Sequence, residues 1–181
     1  MIVIGIDPGI ANTGFGVVRT SGERMVALDG GVIETDEGLP IEERLGKLHE
    51  SLVELISWHE PKAMALEDLF FGKNIASALS VGEARGVALL AASASAVPCF
   101  DYTPQAVKKA VSGSGSADKG QVQRMVATLL GLPEPPTPDH AADAFAVAIC
   151  HAGSAARQAG HFGRPQRGAA PAIAARQRLA G

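Results

Sequence analysis

Residues 1–16 read MIVIGIDPGIANTGFG, and this stretch decides how the rest of the chain is placed. Ile2, Val3, Ile4 and Ile6 form a short apolar, β-branched run bounded by turn residues, the pattern of a buried strand. Asp7 is its last residue, and Pro8-Gly9 turns the chain at once. Gly14 to Val18 then reads as a second strand, so the two pair as a hairpin around Asp7. A carboxylate at the end of a buried strand stands on scaffold that holds its position, which suits chemistry. Asp-Pro-Gly is also a good turn opener, so Asp7 alone leaves both roles open.

Moving outward, Met25 to Thr35 has the spacing of a third strand, with Asp29-Gly30-Gly31 as a bulge or bend. From Pro40 the period changes. Ile41, Leu45, Leu48, Leu52, Leu55 and Ile56 recur at helical spacing, with Glu42 and Glu43 suited to the first turn and Pro61 beyond the end. Ala63 to Leu66 is a second buried strand that ends at a carboxylate, Glu67. The spacing predicts a helix over 74–96, a strand over 98–103, a helix opened by Pro104 and a Ser-Gly loop over 112–116. Further helices are expected over 117–130 and 138–152, the latter after a Pro-rich linker. Three antiparallel strands followed by parallel ones give an α/β fold: a mixed five-stranded sheet flanked by helices. Residues 1–152 read as one domain, and 153–181, rich in Arg, Ala and Gly, as a disordered tail.

The composition, 46% hydrophobic and 19% charged, is globular. No apolar run nears the roughly 18 residues of a membrane helix, and the opening residues lack the basic region and long apolar segment expected of a signal peptide. Two cysteines, Cys99 and Cys150, form no metal-type cluster, and a cytoplasmic location is expected. The net charge of −3 argues little by itself, but its distribution is uneven: acids crowd 34–60, and none follows Asp143.

If the strands ending at Asp7 and Glu67 are parallel neighbours, both acids emerge at one edge of the sheet, where they repel unless a cation lies between them. The last helix adds Asp139, His140 and Asp143. His140 and Asp143, three apart, share a face. Asp139 also reaches Asp143 at spacing four, but its first-turn position gives it a capping role as well. Three carboxylates and an imidazole favour hard divalent cations, and paired metals in such sites hydrolyse phosphodiesters in line.

These segments, GIDPGIANTGFGVV from Gly5, ALEDLFFGKN from Ala65, ALSVGEARGVA from Ala78, QAVKKAVSGSGSADKGQVQRMV from Gln105 and DHAADAFAVAICH from Asp139, resemble the RuvC family of Holliday junction resolvases. That family is part of the ribonuclease H-like superfamily. The resemblance covers about four-fifths of the chain in family order. It implies Asp7, Glu67, His140 and Asp143 as catalytic metal ligands for two Mg²⁺ or Mn²⁺ ions. It further implies a homodimer that nicks two strands of a four-way DNA junction symmetrically in recombination and repair, alongside a branch-migration complex of junction-binding and helicase motor proteins. Many members carry Asp in place of His140. Imidazole suits transition metals better than Mg²⁺, so Mn²⁺ is expected to serve at least as well.

Phe70-Phe71 follows the second acid. Such a pair is commonly core, but beside a site an exposed ring can stack on an unpaired base. The likeness favours Phe70 in that role, with Phe71 and Lys73 beside it, and places Lys108 and Lys119 near the scissile strand. Without it, Lys119 reads as a solvated lysine in a first turn, where it opposes the helix dipole. An actin-like nucleotide-binding domain, a related nuclease for RNA or plain duplex, and a pure junction binder are the competing readings. The first needs a second domain, and the last gains nothing from clustered acids.

Overall fold

The computed structural model describes residues 1–22, 24–68 and 75–160, with backbone alone at 75–77 and 155–160. Ten elements follow in order: β1 (Ile2–Asp7), β2 (Asn12–Ser21), β3 (Arg24–Glu34), α1 (Ile41–His59), β4 (Ala63–Glu67), α2 (Ile75–Ala94), β5 (Cys99–Tyr102), α3 (Pro104–Ser112), α4 (Lys119–Leu130) and α5 (Asp139–Gly160). The strands lie in the order β3-β2-β1-β4-β5. β1–β2 and β2–β3 are antiparallel, and β1–β4 and β4–β5 are parallel. This is the expected mixed sheet.

Alternation along each strand sorts the core into two layers. Ile4, Ile6, Val17, Met64 and Leu66 pack with Leu48, Leu52 and Ile56 of α1 and Ala84, Ala88 and Ala91 of α2. Val3, Val18 and Ala65 face the other way, onto Val107 of α3, Val122 and Val126 of α4 and the long apolar side of α5. Asp7 has the parity of Val3, and Glu67 that of Ala65. Both acids therefore belong to the α5 layer, and the parallel register Ile6↔Leu66 sets them at adjacent strand ends.

Helix α5 sits on bare backbone. A Cβ at Gly5 would collide with the Ala144 carbonyl and lie 2.8 Å from the Ala148 nitrogen. At Gly14 it would collide with the His140 carbonyl oxygen, and at Gly16 it would lie 2.8 Å from the Phe145 ring. Gly30 on β3 likewise leaves room for the tip of Phe145. Glycine in a strand interior marks such close approach of another backbone. Burying the Phe145 ring in this groove contributes about 2–3 kcal/mol.

Several local expectations are corrected. The irregularity in β3 falls at Leu28, where the register with β2 jumps from Val17↔Asp29 to Val18↔Ala27. Gly30 and Gly31 stay in the ladder, because their function is clearance for Phe145 and Phe15. Helix α4 begins at Lys119, not Ala117, because the Asp118 side chain caps it by accepting from the Gln121 amide at 2.8 Å. The Thr137–Pro138 peptide is cis and α5 starts at Asp139, so Pro138 is not its first residue. At its other end α5 continues past Ala152 to Gly160, so 153–160 are helical. Residues 161–181, the rest of the expected tail, lie outside the described residues.

Candidate active site

Asp7 closes β1, and the loop after it is tied down locally: the Thr13 hydroxyl donates to the Gly9 carbonyl at 2.5 Å, and that of Thr35 to the Ile10 carbonyl at 2.6 Å. The first turn of α5 lies over Gly14, the cross-strand partner of Asp7. This brings His140 Nδ1 to 2.7 Å from Asp7 Oδ2. An ionised carboxylate only accepts, so Nδ1 donates in this pair and Nε2 is the ring nitrogen turned away from Asp7. The pair has the form of a carboxylate orienting an imidazole for a metal.

Lys119 Nζ sits 3.0 Å from Asp139 Oδ2 and 3.3 Å from Asp143 Oδ2. Gln123 donates to the other Asp139 oxygen at 2.9 Å. Asp139 is thus spoken for on both oxygens, a role in fastening α5 to α4 rather than in facing Asp7. Lys119 is exposed, as its local sequence suggests, but it is also ion-paired, and its two carboxylates oppose the unfavourable helix dipole. They also hold its ammonium pKa above the usual range, while Lys119 holds Asp139 below its own.

Glu67, Lys108, Lys119 and Asp143 line an open cleft of about 230 Å³ floored by Val107, Val122 and Val147. Burial pushes Glu67 up to about 7, and the charges of Asp7 and Asp143 push the same way against Lys108. Burial likewise raises Asp7, with Asp143 adding to it and the His140 bond opposing. Mutual repulsion among Asp7, Glu67 and Asp143 is the electrostatic mark of a place made for a cation. Among the described residues no three His, Cys, Asp or Glu side chains yet converge as a cage. His140 engages Asp7, and Lys119 engages Asp143. The donor set itself, oxygen-rich with one imidazole, fits Mg²⁺ or Mn²⁺.

Phe70, Phe71 and Lys73 lie outside the described residues. Sequence reasoning overlooked Gln123 and Arg85. Arg85 on α2 donates to the Glu67 carbonyl at 3.4 Å and to Asp101 at 2.7 Å, tying the end of β4 to its neighbours. No local signal marks either residue. The glycines under α5 did carry one, since Gly14 and Gly16 recur at the strand period.

A five-stranded sheet in this order, with acids at the ends of two adjacent parallel strands and a third acid brought over them by a helix, defines a ribonuclease H-like nuclease. Residues 3–151 match the family model described as "Crossover junction endodeoxyribonuclease RuvC", and the chain belongs to that family. It is 53% identical over 152 residues to the RuvC of Pelotomaculum thermopropionicum, covering 84% of this chain and 93% of that one. Against the Rubrobacter xylanophilus RuvC it is 50% identical, covering 83% and 84%. The solved structure of Thermus thermophilus RuvC, 41% identical, superposes with a TM-score of 0.82 over 87% of this chain and 97% of that one. The same protein in complex with a Holliday junction substrate gives 0.84 at 41% identity, over 87% and 96%. The yeast mitochondrial resolvase Ydc2, 15% identical with a TM-score of 0.59 over 86% and 85%, shares the fold.

Proposed function

We propose that this crossover junction endodeoxyribonuclease nicks two strands of a four-way DNA junction symmetrically, using Asp7, Glu67, His140 and Asp143 around two divalent cations. The observation that carries the reading is the placing of Asp7 and Glu67 at adjacent parallel strand ends, with Asp143 lining the same cleft as Glu67, near enough that Asp7 and Asp143 both disfavour ionisation of Glu67. Bound Mg²⁺ or Mn²⁺ would lower the pKa of an attacking water and stabilise the leaving oxygen of the phosphodiester. Asp7 and Glu67, fixed at strand ends, set the spacing of the donors. Asp7 holds the His140 ring with Nε2 outward. Lys108 and Lys119 supply positive charge at the rim of the cleft, where a phosphate backbone would pass.

Leu79, Leu89 and Leu90 are exposed on α2 and support that helix as the contact between two copies. Paired incisions need two such sites. The likeness to RuvC adds a branch-migration complex as partner, with Phe70, Phe71 and Lys73 toward the opened bases. No helix of the described residues is long and apolar enough to cross a membrane.

The decisive experiment compares a synthetic four-way junction with matched linear duplex, in Mg²⁺, Mn²⁺ or EDTA, using the parent chain and Asp7→Asn. Symmetric nicks on the junction alone, dependent on metal and on Asp7, are expected. Equal cleavage of both substrates would leave the metal site and remove the junction assignment.

A further inference from the structure

Helix α2 is rich in alanine and carries two charged residues, Glu83 and Arg85. Both fall in the ALSVGEARGVA segment, the one family-like stretch that supplies none of the site residues. Arg85 stands beside Ala84 and one turn before Ala88, which are buried against the sheet, and its own side chain is only 15% exposed. A guanidinium taken out of water needs acceptors for its fork. Arg85 finds them on two strands. One terminal nitrogen donates to Asp101 Oδ1 on β5 at 2.7 Å, and the other donates to the backbone carbonyl of Glu67, the last residue of β4, at 3.4 Å.

The two acids at the strand ends are held differently. Asp7 is still paired at its own position, with Gly14 on β2. The parallel ladder between β1 and β4 ends at Ile6↔Leu66, one residue short of Glu67. At Glu67 the strand pairs with Tyr102 of β5, and the Asp68 amide donates to the Tyr102 carbonyl at 2.7 Å. Arg85 therefore adds a tether where the pairing with β1 has stopped. It does so from the other side of the sheet, because Asp101 has the parity of Cys99 in the α1–α2 layer, whereas the Glu67 side chain lines the cleft of the α5 layer. Arg85 holds the backbone of Glu67 and is not among the residues that line the cleft.

We propose that Arg85 is a positioning residue: it fixes the end of β4, so that the Glu67 carboxylate meets a divalent cation at a set distance from Asp7. The inference rests on Glu67 being a metal ligand. Asp101, half exposed, keeps the fork turned toward the strand ends through a charge-assisted bond. Arg85 acts through the main chain alone. It supplies no charge to the cation and no contact to DNA.

The test measures Mn²⁺ binding to the full-length chain without DNA, from the electron paramagnetic resonance signal of the free ion, in Arg85→Lys, Glu67→Gln and the double variant. Lysine keeps a cation at this place, but its ammonium is a point charge that does not reproduce the fork. Supports one step behind a metal ligand are worth about 10–100-fold in metal affinity or activity, and Arg85→Lys should weaken Mn²⁺ binding and slow single-turnover cleavage within that range. Junction binding in EDTA should match the parent. Glu67→Gln should also weaken Mn²⁺ binding, and adding Arg85→Lys to it should cost nothing more, because the donor being positioned is gone. Parent-like Mn²⁺ affinity in a folded Arg85→Lys chain overturns the proposal. Additive losses overturn it by making Arg85 a general support, and lost junction binding in EDTA overturns it by making Arg85 a DNA contact. Should Arg85→Lys fail to fold, Asp101→Asn removes the charge that turns the fork, and parent-like Mn²⁺ affinity there overturns the proposal equally. Parent-like affinity in Glu67→Gln alone removes the ligand reading instead, and the proposal falls with it.

Discussion

Replacing Gly14 by Ala puts a methyl group against the backbone of His140, colliding with its carbonyl oxygen and 2.5 Å from its carbonyl carbon, where 3.4–4 Å is ordinary contact. Two effects of opposite sign compete. In an open strand, Ala is preferred to Gly by roughly 0.5–1 kcal/mol. Overpacking a rigid neighbour costs about 1–3 kcal/mol, and a helical carbonyl cannot swing aside like a side chain. The clash therefore wins, with a net loss of about 1–2 kcal/mol. For a chain of this size that lowers Tm by about 2–8 °C. Relief requires the first turn of α5 to retreat by about 1 Å, the gap between the two contact distances. His140 and Asp143 travel with that turn while Asp7 stays on β1. A displacement of that size at a reacting centre is worth about 10²-fold in rate. The assays are thermal unfolding and single-turnover junction cleavage, with Gly46→Ala as control. Gly46 lies in α1 with open space around its Cβ direction, so Ala there should stabilise by about 0.8–1 kcal/mol and leave cleavage unchanged. A Gly14→Ala chain with the parent's Tm and rate would refute the argument that bare backbone seats α5.

Three further outcomes follow from the geometry. Gly30→Ala and Phe145→Leu should each destabilise, yet the double variant should recover at least about 1 kcal/mol of their summed loss, because the shorter side chain vacates the space the methyl needs; additive losses in a denaturant-unfolding cycle would contradict this. Burial raises the carboxyl of Glu67 to about 7 in the fold from an ordinary 4.5, so its ionisation opposes folding. In EDTA, the contribution of Glu67 to stability should therefore be fully present below pH 4.5 and be lost as pH rises to about 7, with Asp7 acting in the same direction and Asp139, whose carboxyl is lowered, in the opposite one; Glu67→Gln should flatten the decline between pH 4.5 and 7, and an identical Tm–pH profile would exclude Glu67 as its source. His140 should let Mn²⁺ support cleavage at least as well as Mg²⁺ at equal concentration, and His140→Asp should shift the preference toward Mg²⁺; a parent clearly faster with Mg²⁺ would count against His140 as a ligand.

Much of this was legible because strand ends announce themselves. Asp7 and Glu67 each close an apolar run, and the period-2 parity of Val3 and Ala65 fixes which layer they face. Spacing alone also put His140 and Asp143 on one helix face. What could not be read depends on partners distant in the chain. Lys119 looks misplaced beside a helix start until Asp139 and Asp143 are brought to it. Gly30 looks like a bend until Phe145 is seen in the space it leaves. The true bulge, at Leu28, has no sequence mark because an extra residue in a ladder is defined only against the opposing strand. Helix α5 outruns its expected end because Gly153 and Ser154 only weaken a helix, whereas a proline would stop it.

The clasp between Lys119 and the two aspartates also bears on how a strand of DNA enters. Each partner is substantially exposed, and surface ion pairs of this kind contribute only about 0–1 kcal/mol. The ammonium is thus kept at its post by a bond that is easily surrendered. On the proposed function, a phosphate that drew Lys119 away from these carboxylates, one anion for another, would leave Asp143 without its ammonium partner in the cleft it shares with Glu67. Arrival of the substrate and release of Asp143 would then be one exchange of ion-pair partners around a single ammonium group.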